Sequence, residues 1–221
     1  MNPNIAIKNN QNRIAPNSTQ NGRAEIHYPE TEKKIMGETD FHFQQIKLLC
    51  NALELFFAGR NDVYVSADIM VYYEEGKPRR HFAPDLMVCF GIENKKRRIY
   101  KLWEEKIVPS VIFEIASNST WENDVNKKRK LYEKLGVAEY YIFDPEYKYL
   151  GQPLMAYHLE FGELVRQSTN KKRIFSTALN LELIDTGENL RVFDAEQNEF
   201  IPTAQELKAE LDKIKSSQNI K

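Results

Sequence analysis

Apolar residues along this chain change their period several times, and each change marks an element. Ile46, Leu49, Leu53 and Phe56 recur at helical spacing, with Thr39 or Asp40 placed to cap the start and Gly59 to stop the run, which predicts a first core helix. Residues 62–73 then turn to β-branched and aromatic types, 74–78 supply turn chemistry and 80–90 return, which predicts a two-stranded hairpin. Pro84 cannot donate to a ladder, so a bulge or an unpaired side is expected just before Asp85. Residues 95–101 read as a loop or short extension. Residues 111–116 form a nearly continuous apolar run, as expected of a strand buried on both faces.

Ser119 or Thr120 can cap a helix over 124–135, in which Val125, Leu131, Tyr132 and Leu135 share one face. Gly136 closes that helix, and 139–143 make a fourth strand before Asp144-Pro145. Strand, helix, strand at this spacing is a crossover, so the third and fourth strands should be parallel. Shorter strands are predicted at 154–159, 164–167, 181–184 and 190–193, and a charged helical tail at 203–216 carries Leu207, Leu211 and Ile214. Residues 1–24 are rich in Asn, Gln, Ser and Pro with almost no apolar clustering, too little to offset the entropy of ordering. The chain therefore divides into a mobile N-terminal arm (1–24), one folded domain (25–200) and a C-terminal helix or tail (201–221).

A chain of 221 residues is large enough to bury a substantial core. The formal charge of -1 gives no global pull towards nucleic acid. Local basic clusters at 77–80, 95–98, 127–130 and 171–173 could still face a phosphate backbone, although singly such runs read first as solvated edges. Cys50 and Cys89 lie in apolar segments and read as reduced core residues; the four histidines are scattered and read as structural. The sequence holds neither an apolar run of membrane-spanning length nor the apolar core of a signal peptide, so a cytoplasmic location is the default. It shows no internal repeat, glycine-rich phosphate loop or nucleophile elbow.

The chemistry lies in two predicted strands that each carry a single acid, Asp85 in Ala83-Pro84-Asp85-Leu86-Met87-Val88 and Glu114 in Val111-Ile112-Phe113-Glu114-Ile115-Ala116. Taking a carboxylate out of water is costly unless a cation or hydrogen-bond donors compensate it, and two such acids on adjacent strands suggest a shared cation. Lys128 comes three residues after Val125 and four before Tyr132, on the apolar face of its helix, with Asp124 one turn earlier. A hard divalent cation such as magnesium prefers oxygen ligands and needs only one or two protein carboxylates beside a substrate phosphate. The same residues also admit an inert network in which Asp85 caps a bulge and Glu114 pairs with Lys128.

In their order, Ala83-Pro84-Asp85-Leu86-Met87-Val88, Phe113-Glu114-Ile115-Ala116-Ser117, Asp124 with Lys128 and Tyr132, Gly136-Val137-Ala138-Glu139-Tyr140 and Asp144-Pro145 resemble the Uma-type "putative restriction endonucleases" of cyanobacteria. These belong to the PD-(D/E)XK nuclease superfamily. The likeness runs from about Glu38 to the end of the fourth strand, and more weakly through Phe193. It implies a restriction-endonuclease-like fold, a mixed α/β sheet with an α-β-β-β-α-β core. It also implies an Mg2+- or Mn2+-dependent endonuclease hydrolysing DNA phosphodiester bonds. Asp85 and Glu114 are then metal ligands and, with Lys128, catalytic, while Glu38, Asp124 and Tyr132 support them. The superfamily usually carries its lysine two residues after the second acid, where this chain has Ala116, so Lys128 would supply the ammonium from the following helix. Asn118 stands where the family often has proline. By analogy with similar nucleases a homodimer is expected. The alternatives are a non-catalytic nucleic-acid-binding or interaction protein that keeps the fold, and a nuclease acting on RNA.

Overall fold

The computed structural model describes residues 26–31, 39–169 and 172–218. The arm expected over 1–24 lies outside the described residues, as does Glu38. Helix α1 (Asp40–Phe56) starts at Thr39, whose hydroxyl accepts the His42 N–H at 3.3 Å. The chain continues through β1 (Val63–Ser66), β2 (Val71–Tyr72), β3 (His81–Phe82), β4 (Leu86–Phe90), β5 (Tyr100–Lys101), α2 (Leu102–Glu105) and β6 (Val111–Ile115). A crossover of α3 (Trp121–Asn123), a π-helical turn (Asp124–Lys128) and α4 (Arg129–Leu135) leads to β7 (Glu139–Phe143). Then follow β8 (Leu154–Glu160), β9 (Glu163–Gln167), β10 (Arg173–Ser176), β11 (Leu181–Asp185), β12 (Leu190–Asp194), β13 (Glu199–Phe200) and α5 (Ala204–Gln218).

The main sheet runs β1-β4-β6-β7-β8-β9, parallel at β6–β7 and antiparallel elsewhere. Within it α1, β1, β4, β6, α4 and β7 supply the α-β-β-β-α-β core. Side chains alternate between its two faces. Leu86, Val88, Phe113, Ile115 and Tyr141 pack towards Leu49 and Leu53 of α1 and towards Leu181, Leu183 and Val192 of the antiparallel sheet β10-β11-β12-β13. Met87, Cys89, Ile112, Tyr140 and Ile142 pack towards Tyr132 of the crossover and towards Val71 and Tyr100 of the small sheet β3-β2-β5. Both cysteines are free, and among the described residues no helix is long and apolar enough to cross a membrane.

Three expectations need correction. The hairpin over 62–90 forms but is split, with β1 pairing β4 in the main sheet and β2 pairing β3 in the small one. The break falls where Asp68 takes a left-handed φ of 50° and donates its N–H to the Pro84 carbonyl at 3.1 Å. Pro84 has no N–H to return, so the ladder stops there. The crossover helix is not uniformly α-helical, because a π turn occupies its centre. Thr120 makes no side-chain cap to that helix; its hydroxyl instead accepts the Ser117 N–H at 3.3 Å. Gly136 does close it, with a left-handed φ of 83° that costs glycine little.

A polar clasp joins α1 to the C-terminal sheet. The buried Gln45 amide donates to the Leu190 carbonyl and accepts the Leu190 N–H, both at 3.0 Å. Gln45→Leu keeps the volume but strands both main-chain groups, so it should destabilise the protein by about 2 kcal/mol or more. Denaturant unfolding measures this, and a loss below about 0.5 kcal/mol would mean that the clasp is dispensable.

Candidate active site

The register of β4 and β6 brings the two acids together. Leu86 pairs with Phe113 in antiparallel sense, so Asp85, one residue earlier, comes beside Glu114, one residue later. Period-two alternation turns Glu114 to the face it shares with Ile112 and Ala116, the face covered by the crossover helix. There it is fully buried. Its Oε1 accepts the Tyr132 hydroxyl at 2.5 Å, and its Oε2 accepts the Lys128 ammonium at 2.7 Å. Lys128 also lies 3.1 Å from Asp124 Oδ1. The widened turn thus sets Asp124 and Lys128 on one side of the crossover, and the Tyr140 hydroxyl pins it from β7 by donating to the Asp124 carbonyl at 3.0 Å. Lys127 and Lys130 are exposed.

Asp85 is held differently. Its Oδ2 accepts the Ile115 N–H at 2.6 Å and lies 3.3 Å from His42 Nε2, while its Oδ1 takes no hydrogen bond from the described residues. His42 sits in the first turn of α1 and is buried. It went unrecognised as a site residue in the sequence, although it precedes Ile46, Leu49 and Leu53 by four, seven and eleven residues. That spacing puts it on the buried stripe of its helix. Asp85, His42 and Lys128 line a cleft of about 770 Å³ that is also bordered by Asn118, Lys127 and Tyr149. Glu114 and Asp124 are buried at 0% and 1% exposure.

Three carboxylates and one ammonium in so little space cannot titrate independently. Burial raises Glu114 to about 8; Lys128 opposes that rise, while Asp85 and Asp124 add to it. Asp124 is raised for the same reason, burial first, against the opposing pull of Lys128. Neither Asp124 oxygen has a hydrogen-bond partner among the described residues, although the Lys128 charge lies close by. Burial also acts to raise Asp85, but the His42 contact, the Lys128 charge and the Ile115 N–H outweigh it and hold Asp85 below its usual value. For Lys128, burial favours loss of the proton; Glu114, Asp124 and Asp85 overcome this, so the ammonium stays charged. Tyr132 is held neutral by burial and by Glu114, which keeps it a hydrogen-bond donor.

A mixed sheet with this α-β-β-β-α-β core is the restriction-endonuclease-like fold, here with acids at the adjoining ends of β4 and β6 and, unlike the usual superfamily pattern, a lysine presented by the crossover. The chain belongs to the Uma2 family, described as "putative restriction endonuclease", which it matches over residues 13–184. It is also similar to the crystal structure of a "putative nuclease belonging to DUF820" from Anabaena variabilis ATCC 29413. There the identity is 15% and the TM-score 0.49, with 68% of this chain and 81% of that one covered. No curated protein matches the chain.

The direction of the Glu114 shift has a consequence for stability. A carboxyl raised from 4.5 to about 8 on folding holds more protons folded than unfolded between those values. Its stabilising contribution is complete below the lower value and is lost as pH rises through the upper one. The metal-free protein should therefore melt at progressively lower temperature between about pH 5 and about pH 8. Glu114→Gln should flatten that fall without abolishing it, because Asp124 is raised in the same sense. A Tm independent of pH across this window would contradict the assignment.

Proposed function

We propose that this protein is a metal-dependent endonuclease hydrolysing DNA phosphodiester bonds, with Asp85, Glu114 and Lys128 as its catalytic residues. One observation carries the reading. In a chain of the Uma2 family, a charged lysine on the wall of a cleft is held between two buried acids, beside a third acid that faces the same cleft.

The residues present fit a hard divalent cation. Three carboxyl groups share one ammonium, and among the described residues neither oxygen of Asp124 has a hydrogen-bond partner. An ion such as Mg2+ keeps several waters and takes only one or two protein carboxylates, so two acids suffice. Asp85 and Glu114 would hold it. Bound there, a divalent cation supplies Lewis-acid polarisation of a phosphoryl oxygen and a water nucleophile at neutral pH.

The chain's own groups do the remaining work. Ile115 and His42 fix Asp85 through Oδ2 and so leave Oδ1 for ligation. Tyr132 fixes Glu114 through Oε1, and Lys128 engages its Oε2. Lys128 reaches the cleft and can donate to a phosphate oxygen as negative charge grows there, the kind of contact that lowers a barrier when it is oriented in advance. A second reading rests on the resting pair itself. Hydrogen bonds already engage both oxygens of Glu114, as they would in the structural network of a non-catalytic nucleic-acid-binding protein.

Lys128→Ala separates the two readings. It removes the donor but neither ligand, so cleavage of plasmid or short duplex DNA with Mg2+ or Mn2+ should fall by about two orders of magnitude or more. Asp85→Asn serves as the blank and should lose metal affinity, read by titration calorimetry, while remaining folded. DNA binding should change much less in either variant. Wild-type protein that cleaves neither DNA nor RNA with either metal would favour the binding protein, and cleavage of RNA alone would reassign the substrate.

A further inference from the structure

Helix α5 begins in a well-built start and then runs with no buried residue. Thr203 and Glu206 cap it reciprocally, the Thr203 N–H donating to Glu206 Oε2 at 2.7 Å and the Glu206 N–H donating to the Thr203 hydroxyl at 3.2 Å. Arg191 of β12 grips the Glu206 carboxylate with two nitrogens, at 2.8 and 2.9 Å. The body of the protein thus orients the helix, while Leu207, Leu211 and Ile214 stand 41%, 48% and 50% exposed. Their spacing of four and then three residues puts them in one stripe, the repeat of a coiled-coil seam. A lone helix of 15 residues is marginal in water, so this one gains most from a cover over its stripe.

We propose that a second copy of this chain covers the stripe, with the two α5 helices packed in parallel as a short coiled coil. The flanking charges select this occupant. With Leu207 and Ile214 at d positions and Leu211 at a, Lys208 and Lys215 fall at e and Glu210 at g. In a parallel pair, g of one helix faces the following e of the other, so Glu210 meets the partner's Lys215 on both sides of the seam. An antiparallel pair would instead set g against g and e against e, glutamate against glutamate and lysine against lysine. The seam is only about two heptads long and buries less than the roughly 1,200 Å² of a standard interface, so the association is concentration-dependent rather than permanent. Glu206 lies off the seam, so its ion pair with Arg191 persists in the assembly.

Sedimentation velocity of the full chain over a concentration series tests this, and the mass reads how many copies join. Wild type should associate as concentration rises. Leu211→Lys with Ile214→Lys, both at exposed positions, should weaken association about tenfold or more, with circular dichroism confirming that the fold is kept. Glu210→Lys and Lys215→Glu should each weaken it alone, whereas mixing the two single variants, or combining both changes in one chain, should restore it. A wild type that stays monomeric at every concentration overturns the proposal. So does association that ignores the stripe variants. If the stripe variants weaken association but mixing fails to restore it, the parallel pairing is overturned. A monomer whose stripe is nonetheless protected from proteolysis would assign the cover to residues 1–25 of the same chain and likewise overturn it.

Discussion

The site depends on a carboxylate that has no route to water. Glu114 stands in a strand covered on both faces, and a charge in that position is tolerated only when it is neutralised and hydrogen-bonded. That requirement accounts for much of the surrounding sequence. It explains a lysine and a tyrosine four residues apart on an otherwise apolar helical face, and a second tyrosine that pins the turn bearing the lysine. Removing any one of these leaves the others with an unmet charge or donor. The group therefore behaves as a unit rather than as separable pairs.

The two layers over the main sheet have different tasks. The α1 and C-terminal-sheet face packs around one apolar cluster whose parts are joined by buried polar groups, among them the Gln45 clasp and Glu139, which accepts the Tyr141 and Ser176 hydroxyls. The crossover face carries Glu114, Asp124 and Lys128, and its aromatic residues, Tyr132, Tyr140 and Tyr157, stack edge-on or in parallel around them. His42 couples the layers by reaching from α1 to Asp85. A change in the packing of α1 would therefore reach the acid through His42.

Much of this was legible in the sequence. Runs of β-branched, aromatic and apolar residues marked the strands of the main sheet, and the 3-4 spacing around Lys128 pointed its side chain inward, where it meets Glu114. What escaped did so for physical reasons. The strands β5 and β13 have two residues each, too few for any period to register. The strand β10 does not alternate, its two apolar residues being adjacent in Arg173-Ile174-Phe175-Ser176. The π turn is set by main-chain hydrogen bonding, which composition does not record. The split hairpin turns on a left-handed Asp68, a conformation more often announced by glycine. His42 escapes a helical stripe defined by apolar residues alone, although it shares that stripe with Ile46, Leu49 and Leu53.

The Asp68–Pro84 break bends a hairpin and also divides labour along it. Below the break, β1 and β4 belong to the sheet that fixes Asp85. Above it, β2 and β3 carry His81 and Phe82 into the wall of the cleft on a separate small sheet. The ladder ends at a residue that cannot continue it, so what ties the small sheet to the acids is side-chain packing, Phe82 lying edge-on to Tyr132. The hairpin therefore transmits the shape of the cleft wall to Glu114 through an aromatic contact and not through a continuous ladder.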